Sequence, residues 1–268
     1  MSLERRSLTS SRQLLGGSLK MSLSRLGASM GLLKRYLKLP CFLKDKLYMF
    51  LVLSKHLIYK KVLKRDITIC DLIKRRVLFS INGCKWMFDP RNIDYTRLPI
   101  ELHENFLTST MSKLCKRRVF IDIGASVGLW VVRLSPFYLR SIAIEPNTMN
   151  LFNLLENIVL NNVGDKVRVI QAFAGSEVSL DYLVNSLIRE NEQIFVKIDV
   201  EGMELSVLRS CQNMLLEKDV ILLIECHGEE NFRRVKEYLR DKGYGIRVLH
   251  IVHNDPTFGK LIYIHAYK

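Results

Sequence analysis

Long apolar runs and paired cysteines are both missing from the basic front part of this sequence. Its longest uninterrupted apolar stretch, Leu47–Leu53, is too short for a helix that spans a bilayer, which needs about 20 apolar residues. A secretory signal of adequate length is also missing near the N-terminus. The six cysteines form no CxxC pair and show no metal-ligand spacing, which argues against a disulfide framework. We therefore expect a protein of a reducing compartment, the cytoplasm.

Acidic residues are scarce in the same front part. Residues 1–118 hold 25 Lys/Arg against 8 Asp/Glu, a balance of +17, whereas residues 119–268 hold 16 against 19, a balance of −3. Residues 1–40 are rich in Ser and Arg, with Glu4 as their only acid, which is typical of a disordered tail or of an organellar transit peptide. The positive charge suits an anionic partner, either nucleic acid or a membrane surface, but also a solvated basic tail.

Residues 42–63 combine apolar residues with flanking lysines. Such a segment can lie on an anionic membrane surface. An amphipathic helix packed on the following domain is the simpler interpretation of the same pattern. The sequence leaves both interpretations open.

The rest of the chain alternates between strand and helix patterns. A hairpin is predicted over 77–88, around Asn82-Gly83, and a helix over 99–116. The next five predicted strands are 119–123, 141–145, 167–173, 195–199 and 220–225. The helices that follow them are predicted over 127–135, 147–161, 179–187, 204–216 and 229–241, and Asn147 is the predicted N-cap of the second. The last two predicted strands, 246–252 and 260–266, are expected to pair antiparallel.

This order predicts an α/β fold with a doubly wound, mostly parallel sheet and an antiparallel C-terminal strand pair. We divide the chain into a basic tail (1–40), a small N-terminal extension (41–100) and the main domain (101–268). Ligands of such sheets bind at the carboxyl ends of the strands.

The most informative stretch is FIDIGASVGLW, Phe120–Trp130. Dinucleotide enzymes carry G-x-G-x-x-G here, and Ser126 replaces the glycine that admits a diphosphate. Gly124 lets the turn approach a ligand, and Gly128 lets the following helix pack on the strand. The carboxylate of Asp122 favours a ligand with a positive group. S-adenosylmethionine fits, since it joins an ammonium and a sulfonium to a nucleoside.

A second acid supports a nucleoside ligand. Glu145 ends the next strand, where a carboxylate accepts hydrogen bonds from both ribose hydroxyls. Enzymes that bind NAD share this feature, so Glu145 alone does not discriminate between the two cofactors. Asp122 and Glu145 are also compatible with roles as cap or turn residues.

Five motifs follow one another within roughly residues 100–230: FIDIGASVGLW, IAIEPNTMNLFNLLENIVLNN, SLDYL, VKIDVEGMELSVLRS and ILLIECH. In this order they resemble the FkbM family of S-adenosylmethionine-dependent methyltransferases. The resemblance implies a class I, Rossmann-like methyltransferase fold and O-methylation of a hydroxyl on a small-molecule, sugar or lipid acceptor. It implies a cofactor turn at Asp122, Gly124, Ala125, Ser126 and Gly128. It also implies ribose binding by Glu145 with Asn147 beside it, and a methyl-transfer site faced by Asp199 and Glu201.

One segment departs from the family pattern. Only residues 174–178 join the strand ending near Phe173 to the SLDYL helix, where the family usually has a longer segment. That segment commonly helps to cover the site and to contact adenine or the acceptor. The departure leaves both the acceptor type and catalytic activity open, although residues 174–177 can still contact the adenine.

A hydroxyl acceptor needs a nearby group that accepts its proton. Asp199, Glu201 and His227 are the candidates, because all three are predicted at the ends of adjacent strands. His227 is equally compatible with a structural role, and Glu201 with a position at a helix N-terminus. Glu204 is expected to be an exposed acid of the first helical turn. Asp199, Glu201 and Glu225 are compatible with a divalent metal, but we predict none.

Three alternatives of other classes remain. An RNA methyltransferase would use the basic front half to bind phosphates, although no RNA-binding motif is visible and DVEG is not a base-methylating motif. A catalytically inactive scaffold on the same fold is supported only by the short segment after Phe173. Ser126 disfavours an NAD-linked oxidoreductase.

Overall fold

The computed structural model describes residues 43–65, 72–81, 83–89, 92, 111, 118–255 and 257–268. The basic tail, Asn82 and all of the helix predicted over 99–116 except Met111 lie outside the described residues. The chain divides into two compact units, residues 1–83 and 84–268. The domain boundary predicted at residue 100 stays a prediction.

The first unit contains helix α1, Leu43–Lys61, and strand β1, Val77–Ile81. One face of α1 is buried and includes Met49, Val52 and Leu53. The guanidinium of Arg75 contacts this helix, at 2.7 Å from Asp45 and 4.3 Å from the centre of the Tyr48 ring. None of the helices in the described part of the chain combines the length and apolar character that a membrane crossing requires.

The second unit begins with strand β2, Cys84–Phe88, and contains a seven-stranded sheet. The strands of this sheet are β3 (Arg118–Ile123), β4 (Arg140–Ile144), β5 (Val167–Ile170), β6 (Gln193–Ile198), β7 (Val220–His227), β8 (Gly245–Asp255) and β9 (Gly259–Tyr267). Their spatial order is β5-β4-β3-β6-β7-β9-β8. The first five are parallel, and β9 pairs antiparallel with both β7 and β8. The predicted fold class is confirmed.

The helices of this unit follow the predicted alternation. They are α2 (Leu129–Leu134), α3 (Thr148–Leu160), α4 (Leu180–Leu187), α5 (Glu204–Arg209), α6 (Gln212–Glu217) and α7 (Glu229–Asp241), and a 3₁₀ turn at Ser135–Phe137 contains the proline that stops α2. Strand β5 is shorter than predicted, and β7 extends to His227 because its last residues pair with β9.

The single helix predicted over 204–216 is two helices. The carboxylate of Asp181 in α4 accepts hydrogen bonds from the backbone N–H groups of Asn213 (3.0 Å) and Met214 (2.7 Å). These are first-turn donors of α6, which have no partner within their own helix. Asp181 therefore stabilises a new helix start after Ser210, a contact that helical periodicity does not reveal.

Alternation along the strands separates two faces of the sheet. Val119, Ile121 and Ile123 of β3 belong to a large apolar core with the matching residues of β6 and β7. The opposite face carries Phe120 and Phe195, whose ring centres lie 5.7 Å apart. Asp122 and Lys197 lie opposite each other in the register of β3 and β6, on this second face. The same alternation directs Asp199 and His227 to that face, at the carboxyl ends of their strands.

Asparagines of α3 hold strand β2 by pairing with its backbone. Asn161 accepts from the N–H of Lys85 and donates to its carbonyl, both at 2.7 Å. Asn157, which is fully buried, accepts from the N–H of Met87 at 3.0 Å and donates to the carbonyl of Val127 at 2.9 Å. The hydrogen bond from Asn157 to the Val127 carbonyl therefore connects α3 and β2 to the glycine turn.

Candidate functional site

The turn after β3 lies against the end of β6. Gly124 has φ +75°, and a Cβ atom added there would lie 1.8 Å from the backbone oxygen of Asp199. The N–H groups of Gly124 and Ala125 both donate to the carbonyl of Ile144, at 3.0 and 3.1 Å. Glycine at position 124 is therefore required by the close approach of two backbone segments, in addition to the ligand approach expected from the sequence.

Gly128 begins helix α2 with φ +90°. A Cβ atom at this position would lie 2.6 Å from Cδ1 of Leu154, a buried residue of α3. The glycine thus allows close packing of the turn against a neighbouring helix, where we expected packing against the strand.

Glu145 joins the glycine turn to the start of α3. Its Oε2 accepts a hydrogen bond from the N–H of Ser126 (2.8 Å), which has φ +48°, and its Oε1 accepts from the N–H of Asn147 (2.9 Å). Asn147 in turn caps α3 by accepting from the N–H groups of Met149 and Asn150, as predicted. The structure brings together Ser126, Glu145 and Asn147, three of the residues predicted to bind the cofactor. Ribose binding by Glu145 stays a prediction.

Asp122 lies beneath the turn and is fully buried. Its Oδ2 accepts from the N–H of Val131 in α2 at 3.1 Å, and its Oδ1 lies 3.6 Å from Nζ of Lys197. Burial raises the pKa of Asp122 to about 6, while the Lys197 ammonium acts in the opposite direction. Oδ1 has no hydrogen-bond partner among the described residues.

Lys197 is a member of the site that the sequence analysis missed. Its Nζ lies 3.1 Å from Oδ2 of Asp199 and is almost fully buried. Burial alone would lower the pKa of Lys197, but the carboxylates of Asp199 and Asp122 raise it above its ordinary value. A lysine within the apolar strand FVKID was the available signal, because a buried lysine needs a carboxylate partner.

His227 is held by a carboxylate that we expected to be exposed. Glu204 is fully buried, and its Oε1 lies 2.7 Å from Nδ1 of His227. The same Oε1 accepts from the N–H of Gly202 at 3.0 Å, and Oε2 accepts from Nδ2 of Asn231. The expectation that Glu204 is an exposed acid is wrong, because the loop after β6 turns it inward beneath β7.

The other ring nitrogen of His227 faces the end of β6. Nε2 lies 3.7 Å from Oδ1 of Asp199 and 4.0 Å from Oε1 of Glu225, and the ring meets Phe258 edge-on. Burial disfavours the charged ring, but the hydrogen bond to Glu204 and the charge of Asp199 outweigh it and raise the pKa of His227. Asp199 and His227, which the sequence predicted as catalytic, are thus neighbours.

Among the described residues, no side-chain contact joins Glu201 to this cluster. It lies on the exposed turn between β6 and α5 with φ +49°. Its charge contributes to the raised pKa of His227. Its predicted catalytic role stays a prediction.

The short segment after Phe173 forms a tight turn against α5. The N–H of Gly175 donates to the carbonyl of Val178 at 3.0 Å, and a Cβ atom at Gly175 would lie 3.0 Å from the backbone of Ser206 and Val207. The turn therefore lies against the first helix after the DVEG motif. The predicted contact of residues 174–177 with the adenine stays a prediction.

Three side chains of the site could together hold a metal ion. Asp199, Glu225 and His227 each offer one ligand atom, all within 4.8 Å of one another. The Lys197 ammonium, 3.1 Å from Asp199, already places a positive charge on the same carboxylate and so opposes a second cation. The prediction of a site without metal stays a prediction.

Comparison with solved structures identifies the fold. A protein of Pyrococcus horikoshii described as a candidate transferase is 17% identical, with a TM-score of 0.55 over 81% of this chain and 82% of that one. TYW2 of M. jannaschii, solved in complex with AdoMet, is 21% identical, with a TM-score of 0.52 over 72% and 84%. The tRNA m1G37 methyltransferase of M. jannaschii is 16% identical, with a TM-score of 0.51 over 73% and 57%. At these identities the likeness shows the fold, that of class I methyltransferases.

The family comparison is more specific. Residues 176–246 match the model of the methyltransferase FkbM domain, which confirms the resemblance carried by the sequence motifs. No curated protein matches the chain. Fold and family together identify an S-adenosylmethionine-dependent methyltransferase.

The residues present fit this cofactor. Asp122 leaves a buried acceptor atom beneath the turn, and the turn itself combines three backbone positions of positive φ, Gly124, Ser126 and Gly128. Ser126 occupies the position where a dinucleotide turn needs glycine, so a cofactor without a diphosphate suits this turn better. The carboxylates around it match the positive charge of the ammonium and the sulfonium.

Proposed function

We propose that this chain transfers the methyl group of S-adenosylmethionine to a hydroxyl oxygen of a small-molecule, glycan or lipid acceptor. The observation that carries this proposal is the pair of Glu204 and His227, joined at 2.7 Å, beside Asp199 at the carboxyl end of the sheet. A hydroxyl loses its proton when it is methylated, and this pair offers a place for that proton.

The cofactor contributes a methyl group activated as a sulfonium. Asp122, the turn from Gly124 to Gly128 and Glu145 would hold it at the ends of β3 and β4. Rate acceleration in such a displacement comes largely from the positioning of donor and acceptor. The rigid turn, held between Asp199 and Leu154 by its two glycines, suits this task.

The proton path follows from the exposure of the three residues. Asp199 has a side chain that is 30% exposed, so it is the member that an acceptor hydroxyl can contact, while His227 and Glu204 lie behind it. Because Glu204 accepts from Nδ1–H, the neutral ring keeps the lone pair on Nε2. The hydroxyl proton passes to Asp199 and on to Nε2 of His227, the ring that Glu204 holds, as the new O–C bond forms and the C–S bond breaks, which leaves S-adenosylhomocysteine.

RNA is the second candidate acceptor. It is supported by the net charge of +17 in residues 1–118 and by the structural likeness to a tRNA methyltransferase.

We place the activity in the cytoplasm, a proposal that the free thiols of Cys84, Cys211 and Cys226 support. An organellar location remains the alternative if residues 1–40 act as a transit peptide.

The test is a transfer assay with methyl-labelled S-adenosylmethionine. Wild type, His227→Ala and the matched surface variant His253→Ala are offered hydroxylated lipids, glycans, small molecules and total tRNA, and the labelled products are identified by mass spectrometry. We expect His227→Ala to lower kcat by about 10²–10⁴-fold. Calorimetric titration with S-adenosylhomocysteine should give the same Kd for all three proteins.

Each outcome decides between the candidates. If wild type labels a hydroxyl acceptor and His227→Ala does not, the result supports O-methylation. Labelling of tRNA alone favours the RNA methyltransferase. Full activity of His227→Ala would contradict the proton path. A folded wild type that binds no S-adenosylhomocysteine would support the inactive scaffold.

A further inference from the structure

Helix α1 exposes an apolar surface on the side opposite to its buried face. Leu43, Leu47, Phe50, Leu51 and Ile58 are all exposed, from 83% for Leu43 to 44% for Phe50. At 3.6 residues per turn these positions fall on one side of the helix. We call these five residues the apolar stripe.

Lysines border the apolar stripe on both sides. At about 100° per residue, Lys44 and Lys55 fall along one edge and Lys46 falls along the other. Lys44 and Lys55 are exposed, and Lys46 is half-buried. An apolar strip with cations along both edges is the pattern of helices that lie in the plane of a membrane interface.

The acid of this helix does not weaken the pattern. Asp45 is the one acidic residue of α1, and it lies on the buried face, where Arg75 pairs with it at 2.7 Å. Among the described residues of α1, the charged side chains along the edges of the apolar stripe are therefore positive. The buried face holds the helix in place, so the stripe faces outward in the folded unit.

We infer that the apolar stripe of α1 docks on an anionic bilayer surface. The apolar side chains would enter the boundary between headgroups and acyl chains, and Lys44, Lys46 and Lys55 would meet the anionic headgroups. Charge decides between the candidate occupants. A second copy of α1 would place lysines against lysines, and residues 1–40, with Glu4 as their only acid, carry the same sign.

This inference goes beyond the proposed function and does not depend on it. Contact through α1 is peripheral, because the helix carries too many charged residues to span. A methyltransferase that docks in this way would meet acceptors that are lipids or are attached to the membrane.

The test is co-sedimentation of the full-length chain with vesicles, at low and at high salt. One set of vesicles contains phosphatidylcholine alone, and the other contains phosphatidylcholine with phosphatidylserine. The stripe variant is Leu47→Glu with Phe50→Glu. The control is Phe152→Glu in α3, because Phe152 (66%) is about as exposed as Leu47 (62%) but lies in the other unit. Light scattering gives the oligomeric state, and circular dichroism verifies folding.

We expect wild type and the control to sediment with the anionic vesicles only, and to dissociate at high salt. The stripe variant should remain in solution. Lys55→Ala should weaken partitioning by roughly fivefold, which corresponds to about 1 kcal/mol per cation near an anionic surface.

Three results would overturn the inference. Wild type that stays in solution with anionic vesicles has no such surface. Binding that the stripe variant retains would assign the interaction to the basic tail. A wild-type dimer that the stripe variant dissociates would assign the stripe to a second copy of the chain.

Discussion

Substitution of Gly124 by alanine tests the close approach on which the whole site depends. The added Cβ atom would lie 1.8 Å from the Asp199 oxygen, whereas real Cβ atoms keep at least 3.0 Å, so the two segments must separate by 1.2 Å, the difference. Gly243 is a matched control, because it also has positive φ (+82° against +75°) but no atom within 4 Å of the added carbon. Both variants incur the cost of positive φ, about 1–2 kcal/mol.

Only Gly124→Ala adds a steric conflict. Overpacking costs about 1–3 kcal/mol more, and separation of the segments breaks the bond from the Asp199 N–H to the Ile123 carbonyl (3.0 Å), worth about 1 kcal/mol. We therefore expect a loss of about 3–6 kcal/mol in the free energy of unfolding, against about 1–2 kcal/mol for Gly243→Ala.

Urea unfolding measures this difference, and calorimetry should show that Gly124→Ala also loses binding of S-adenosylhomocysteine, which Gly243→Ala retains. Equal stability of the two variants, within about 1 kcal/mol, would refute the close approach between the glycine turn and β6.

Two further predictions concern buried polar contacts. Glu204→Gln should lower the pKa of His227 in an NMR titration, because the carboxylate raises it in the wild type. A raised pKa adds stability that is complete below the unfolded value, about 6.5, and is lost as the pH rises through the folded value. The stability advantage of the wild type over Glu204→Gln should therefore be largest at acidic pH, and an unchanged histidine pKa would contradict the contact. Asn157→Ala should cost about 2–5 kcal/mol in the free energy of unfolding, since it leaves the Met87 N–H and the Val127 carbonyl unpaired. The same change at the less buried Asn161 should cost less, and equal losses in urea unfolding would contradict this ranking.

Local patterns were sufficient for most of the fold. Apolar runs predicted the strands, and the cap at Asn147 and the glycine turn were readable because each depends on residues close in sequence. Even the change from a parallel sheet to an antiparallel pair followed from the short loop before β9. The break between α5 and α6 was not predictable in this way, because Asp181 acts across more than 30 residues.

Local patterns were misleading for Glu204 and did not reveal the partners of Lys197. Glu204 has the position of an exposed first-turn acid, and only the path of the loop after β6 buries it against His227. Lys197 stands in an apolar strand, and its partners Asp122 and Asp199 become visible when β3 and β6 are placed side by side. Pairing of buried charges depends on which strands are neighbours, and the periodicity along one strand gives no information about its neighbours.

The sequence by itself determined the order of strands and helices, the glycine turn and the family motifs, because these depend on residue type and spacing along the chain. The tertiary structure alone decided that Gly124 meets Asp199, that Glu204 orients His227, and that α1 turns its apolar stripe outward. The physical reason is the same in each case: burial and contact are properties of packed elements, and a residue acquires its partners only when distant segments of the chain are brought together.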